Sequence, residues 1–194
     1  MFMECITNSS KKIEFVMSEC NITRFIDIPN QVKVEQSPGS LKITGPLGYI
    51  NLNLVKMDPK GQVAYKHESN KLYINAASSA LAGLWCGRLN SIFYGVTRGH
   101  SMSLTLRGIG YRARVDGQNI YLKVGTSHDT LYRVPEGIRV YSPDPVTLIL
   151  FGVDVSQVNQ VGASIVHLRK PSAYQIKGIY KSNGVYPRKA GKRK

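Results

Sequence analysis

From Ile26 onward the chain is a succession of short segments in which apolar side chains recur at every second position. Ile26 and Ile28, Val32 and Val34, Leu41 and Ile43, then Ile50, Leu52 and Leu54 keep this spacing. It resumes with Met102, Leu104 and Leu106, with Tyr111, Ala113 and Val115, and with Ile120, Leu122 and Val124. Further segments follow at Ile138–Val140 and Val146–Leu150. Successive side chains of a strand point to opposite faces, so period two puts one face on a core and the other in water. Asp116-Gly117 supplies a tight hairpin turn between two of the segments. A chain patterned in this way has to fold as short, half-buried, mostly antiparallel strands.

Two stretches break the period. Leu81, Trp85, Leu89, Ile92 and Val96 fall on one helical face, with Ser78 or Ser79 to cap the start and Gly95 or Gly99 to end it. That stripe, Trp85 included, reads as core packing. A second helix is predicted from about Val155 to Leu168, with Asp154 and Gln157 at capping-box spacing and Val158, Val161, Ile165 and Leu168 on one face. Pro171 stops it. Each half is therefore a set of strands followed by one helix. The halves also echo each other: Ile28 to Val34 is matched by Val134 to Val140, and Leu41 to Gly45 by Leu148 to Gly152. This predicts an internal duplication and an α+β fold of two similar tandem lobes, each a mostly antiparallel sheet packed with one helix. The expected division is residues 1–23 as an extension, 24–99 and 100–171 as the lobes, and 172–194 as a basic tail.

Charge is unevenly spread over this frame. Of a net +14, residues 1–98 carry 11 basic and 7 acidic groups, and residues 99–194 carry 15 and 5. Nine of those bases lie between Arg169 and Lys194, which holds no Asp or Glu and is interleaved with Tyr174, Tyr180 and Tyr186. With two prolines, three glycines and no hydrophobic periodicity, this stretch is expected to stay extended until a polyanion orders it. Truncation after Pro171 is accordingly expected to leave both lobes folded. Release of counterions from phosphates would supply affinity, and tyrosines can stack on exposed bases. A purely solvated tail is the plain alternative. A membrane surface is the competing polyanion, but the chain has no 18-residue apolar run and no basic amphipathic helix.

Catalysis and metal binding find little support. Cys5, Cys20 and Cys86 are scattered, with no Cys-x-x-Cys and no histidines at zinc-ligand spacing, so neither a metal nor a disulfide nor any cofactor is expected. Gly108-Ile109-Gly110 follows a strand, but another strand follows it and the third glycine of a dinucleotide loop is absent. Ser127-His128-Asp129 holds the letters of a hydrolase triad, yet contiguous residues cannot converge their side chains in the required relay. The Asn8 and Asn21 sequons follow no signal-peptide core. The first 23 residues, with three glutamates and no arginine, make a poor mitochondrial transit peptide.

The motifs, taken in order, resemble those of large-subunit ribosomal protein six of the bacterial and organellar type, from near Phe25 to the C-terminus. Gly108-Ile109-Gly110-Tyr111-Arg112-Ala113 is similar to that family's Gly-Val-Gly-Tyr-Arg-Ala. Ser127-His128 stands where the family has Ser-His-Pro, and Pro135-Glu136-Gly137-Ile138 matches its Pro-x-Gly-Ile. Gly152-x-Asp154, Val158, Gln160 and Ala163 follow its second helix. Arg169-Lys170-Pro171 and Tyr174-Gln175-Ile176-Lys177-Gly178-Ile179 follow its closing Arg-x-Pro and Tyr-Lys-Gly-Lys-Gly-Ile. The chain departs at Val155, Ser156, Asn159, Val166, Gln175 and Ile176, and three of these departures, at Val155, Val166 and Gln175, remove a base.

The resemblance implies a non-enzymatic constituent of the large ribosomal subunit that binds its ribosomal RNA near the translation-factor-binding, sarcin–ricin region, with neighbouring ribosomal proteins as partners and no homo-oligomer. Together with the charge pattern it marks Arg107, Arg112, Arg114, Arg169, Lys170, Tyr174, Lys177, Lys181, Arg188, Lys189, Lys192, Arg193 and Lys194 as RNA-contacting candidates. Arg112 and Arg114, at period two, are expected on one strand face, with Tyr111 and Ala113 toward the core. The divergence and the N-terminal segment point to a mitochondrial ribosome and a protein made inside the organelle, with bacterial cytoplasm or a plastid as alternatives. A free-standing module for messenger or transfer RNA is the chief rival, lacking here the aromatic ribonucleoprotein signature and a KH-type loop.

Overall fold

The period-two segments pair into four antiparallel sheets, divided between two lobes of one chain. The computed structural model describes residues 22–68 and 70–191. The expected extension 1–23 therefore lies almost wholly outside the described residues, as do Cys5, Cys20, Lys192, Arg193 and Lys194.

The first lobe runs β1 (Ile22–Asp27), β2 (Lys33–Ser37), β3 (Ser40–Gly45), β4 (Gly48–Asn53), the single turn α1 (Leu54–Met57), β5 (Val63–Glu68), β6 (Lys71–Ala76) and α2 (Ser79–Thr97). The second runs β7 (His100–Arg107), β8 (Arg112–Asp116), β9 (Asn119–Lys123), β10 (Thr130–Arg133), β11 (Ile138–Asp144), β12 (Thr147–Gly152), α3 (Val155–Leu168) and β13 (Gly178–Lys181). Both long helices start where the caps were read. The Ser78 hydroxyl accepts from the Leu81 N–H, and the Asp154 carboxylate accepts from the Ser156 N–H at 2.9 Å.

The fold is α+β with two similar lobes, and the strand orders make the likeness explicit. β1–β6–β5 in the first lobe repeats as β7–β12–β11 in the second, and the meander β2–β3–β4 repeats as β8–β9–β10. Ala76 pairs with Ile22 and Val63, as Gly152 pairs with His100 and Ile138. Two residues beyond Ala76 and Gly152 stand the two helix caps, Ser78 and Asp154. This corrects the residue match drawn from the sequence, which set β2 and β3 against β11 and β12. Several hairpins here share the same alternation, so pattern alone does not choose among them; strand order does.

Each lobe closes over its own core. Leu41, Ile43, Leu72, Ile74, Trp85 and Leu89 anchor the first, and Leu104, Ile120, Leu122, Leu148, Leu150 and Ile165 the second. Tyr65 meets Trp85 edge to face at 5.2 Å. Burial, with Asp58 adding to it, pushes the Tyr65 phenol well above its ordinary pKa. The lobes join tightly. Val153 packs on the first core, and Arg88 Nη1 donates to Ser156 Oγ at 2.7 Å. Gly95 lies so close to the second lobe that a Cβ there would stand 2.1 Å from the Val153 carbonyl oxygen.

The segment after α3 departs from expectation. Residues 178–181 do not wait for a polyanion: β13 pairs antiparallel with β7, Ile179 opposite Leu106 and Tyr180 opposite Thr105. Ile179 is fully buried in the second core, and Tyr180 is buried on the other face, under Arg107 and against Tyr186. A four-residue strand between Lys177 and Ser182 shows no periodicity, yet Ile179 and Tyr180, placed on an existing edge, dock it. Chain termination after Pro171 therefore should not leave the second lobe intact. Removal of a fully buried Ile alone costs about 2–5 kcal/mol, so the truncated protein should melt well below one ended after Pro187, as circular dichroism would show; equal midpoints would contradict this packing.

Candidate nucleic-acid interface

Two cationic surfaces form on the second lobe, one on a sheet and one on the tail. On the sheet, Tyr111 and Ala113 turn inward at 5% and 7% exposure while Arg112 and Arg114 are exposed, as alternation predicted. The two-residue loop after Asp116 sets the register of β8 on β9, placing Arg112 beside Lys123 and Arg114 beside Tyr121. β10 continues that face with exposed Leu131 beside Tyr121 and Arg133 beside Asn119. Arg112, Arg114, Lys123 and Arg133 thus share one outward surface with a tyrosine among them. Lys123, Arg133 and Tyr121 were not singled out from the sequence. The hairpin register would have found the first and last, since a loop of fixed length dictates which residues stand opposite.

The bend before β8 is built on close approach. A Cβ at Gly108 would lie 2.9 Å from three atoms of the Tyr111 ring. Gly110 has φ +75° with open space around it, so a side chain there meets backbone strain but no obstacle. The Tyr111 hydroxyl accepts from Arg169 Nε at 3.3 Å, which ties the start of the tail to this bend.

On the tail, Arg107, Tyr174, Lys181 and Arg188 line one groove of about 410 Å³ between β7, β13 and the residues around Pro171. The Arg107 guanidinium lies over the Tyr180 ring at 4.8 Å. Tyr186 meets Tyr180 edge to face at 4.8 Å, and its hydroxyl accepts from the Lys181 N–H at 2.8 Å. The Lys189 N–H donates to the Ala173 carbonyl at 3.1 Å, bringing Lys189 back to the beginning of the tail. Lys170 and Lys177 are exposed nearby and do not line the groove.

Among the described residues, the ion pairs are Lys42–Glu35 at 3.8 Å and Lys66–Glu68, both in the first lobe. Among the described residues no lysine or arginine of the second lobe forms an ion pair, although exposed Asp116 shares the outward face of Arg112 and Arg114. Ser127, His128 and Asp129 sit in an exposed loop in which the Thr126 hydroxyl donates to the His128 carbonyl.

A family model described as Ribosomal protein L6 matches residues 107–182, the stretch that carries the sheet surface and the tail groove as far as Ser182, with Arg188 and Lys189 beyond it. The large ribosomal subunit protein uL6 of Rubrobacter xylanophilus is 36% identical over 173 residues, covering 86% of this chain and 94% of that protein. The chain belongs to the Ribosomal protein L6 family. The corresponding protein of Erythrobacter litoralis is 36% identical over 177 residues, 88% of this chain and 97% of that one. The large ribosomal subunit protein uL6m of Prototheca wickerhamii is 35% identical over 184 residues, 87% and 95% of the respective chains. Within this chain the matched segment stops at Ser182, one residue past β13.

The burial pattern separates folding from surface roles. Tyr111→Ala should destabilise by about 3 kcal/mol or more, as large-to-small core changes do, and Gly108→Val should also be destabilising because the ring has to move. Arg112→Gln with Arg114→Gln should leave the urea midpoint unchanged. An unfolded double-arginine variant beside a stable Tyr111→Ala would reverse the face assignment.

Proposed function

We propose that this protein is a non-catalytic structural constituent of the large ribosomal subunit and binds large-subunit ribosomal RNA through its second lobe and tail. The observation that carries the reading is the cationic sheet surface, free of ion pairs among the described residues and with Tyr121 set into it, inside the segment shared with the Ribosomal protein L6 family. Contacts go mainly to phosphate and sugar, which fix position and carry no sequence information. On the sheet they come from Arg112 and Arg114, joined by Lys123 and Arg133. On the tail they come from Arg107, Arg169, Lys170, Lys177, Lys181, Arg188 and Lys189, then Lys192, Arg193 and Lys194, with Tyr174 available to stack on a base.

The docked tail supports contact with a structured RNA. β13 and the Tyr180–Tyr186 pair hold the groove cations in place before any ligand arrives, so less ordering entropy opposes binding. The family resemblance supports a location near the translation-factor-binding, sarcin–ricin region, beside neighbouring ribosomal proteins and without self-association. The likeness to a mitochondrial relative supports a mitochondrial ribosome; bacterial cytoplasm and a plastid are the alternatives, and cell fractionation decides among them.

Cofractionation with large subunits on a sucrose gradient tests the reading, and chemical probing of the sarcin–ricin nucleotides with and without the protein tests the location. Free protein found away from large subunits would overturn it in favour of an independent RNA-binding module. In binding to a large-subunit RNA fragment, each lost phosphate contact lowers the log–log salt slope by about 0.7–0.9. The Arg112→Gln/Arg114→Gln variant should therefore show a slope shallower by about 1.4–1.8, and an unchanged slope would remove these arginines from the interface.

A further inference from the structure

The duplication leaves one asymmetry. In the second lobe β7 is paired on both sides, by β12 and β13; in the first, the equivalent strand β1 pairs with β6 alone among the described residues. The cause is connectivity. After α3 the chain has a tail to return along β7, whereas after α2 it passes through Arg98 and Gly99 straight into β7.

The backbone of β1 is aimed for a partner. The Ile28 N–H donates back to Asn70 on the β6 side, and the paired register then turns the Ile26 and Arg24 groups to β6 and those of Thr23, Phe25 and Asp27 outward. In the second lobe the position equivalent to Phe25 is Ser103, whose carbonyl accepts both the N–H and the hydroxyl of Ser182 just past β13. Beside β1, bounded by α2, runs a groove of about 590 Å³ lined by Arg24, Phe25, Ile26, Cys86 and Asn90 among others. Counted from the helix caps, Asn90 stands where α3 has Val166, which packs on the core beneath β13.

We infer that the β1 edge and its groove form a docking site for an extended segment of another polypeptide, which adds a strand antiparallel to β1 as β13 does to β7. Its chemistry follows from the slot. Alternate residues facing α2 are apolar, with a polar one opposite the Asn90 amide and a carboxylate within reach of the exposed Arg24 guanidinium. An alternating row of N–H and C=O groups matches a peptide and not a phosphate backbone. Exposed Phe25, beside Tyr73 and under the Lys71 ammonium at 4.8 Å, offers its ring on the opposite face.

The site rests on the proposed place in the large subunit, so cofractionation of the unsubstituted protein is scored first; its absence counts against that function and against any large-subunit partner. In subunits that contain the protein, β1 amides should exchange hydrogen at least tenfold more slowly than in the free protein. p-Benzoylphenylalanine at Thr23 should crosslink, after irradiation and nuclease treatment, to a peptide of another large-subunit protein. Phe25→Pro removes an outward donor while sparing the bonds to β6 and should abolish both signals; Phe25→Ala keeps that donor and should retain them. Should Phe25→Pro lower the thermal midpoint, the unsubstituted protein's exchange and the crosslink decide alone. Exchange that is no slower in the subunit, a crosslink to RNA or to residues 1–21 of this chain, or a well-folded Phe25→Pro that behaves like Phe25→Ala would each overturn the inference.

Discussion

Strand β7 carries more of the structure than any other element. It receives the chain as it leaves α2, pairs with β12 along one edge and β13 along the other, and ends at Arg107 beside the tail groove. Leu104 and Leu106 on it are buried in the second core. The lobe junction, the hydrophobic core of the matched segment and the placement of the tail cations therefore share one ladder of hydrogen bonds. That sharing explains how a short charged strand with a single fully buried side chain is held: β7 is already fixed by β12 and α3, so β13 adds bonds and burial while ordering few residues of its own.

Charge and core are kept apart. No polar or charged residue is buried among the described residues, so the surplus of Lys and Arg is arranged on strand faces and the tail. Positive charges gathered on one lobe repel one another, a cost that water and salt screen at the surface and a polyanion reverses. The sheet surface and the tail groove differ in how they hold their cations. Alternation and register position Arg112, Arg114 and Lys123, whereas aromatic packing positions Arg107 and Lys181 through Tyr180 and Tyr186. Loss of Tyr186 would thus loosen cations it does not itself carry.

How far the sequence revealed this depended on whether the information was local. Both long helices were legible to their caps, because Ser78 and Asp154 precede apolar stripes of helical period. The Tyr111–Arg114 face was legible because the strand is regular. β10, four residues long, was missed, as was β5, whose partial burial follows no alternation. β6 was passed over although Leu72, Ile74 and Ala76 alternate. β13 was illegible for a different reason: Ile179 is buried by an edge supplied some seventy residues upstream, and nothing within Lys177–Ser182 announces that edge. The charge of the tail was visible; its docking was not.

The two copies of the module also show how duplication can divide labour without new folds. Equivalent strands β1 and β7 carry the same pairing to β6 and β12, and the caps of α2 and α3 fall at the same remove from it. What differs is what lies beyond each helix. The second copy is followed by free chain, which returns to cover β7 and brings a run of bases with it. The first is followed by the second copy, so its matching edge receives nothing from downstream. An exposed edge strand is a hazard that natural sheets blunt with charge or cover with chain. β1 carries Arg24 and Asp27 toward that end, yet also an exposed Phe25 and Ile22, a composition that deters indiscriminate pairing while leaving apolar surface for a complementary strand.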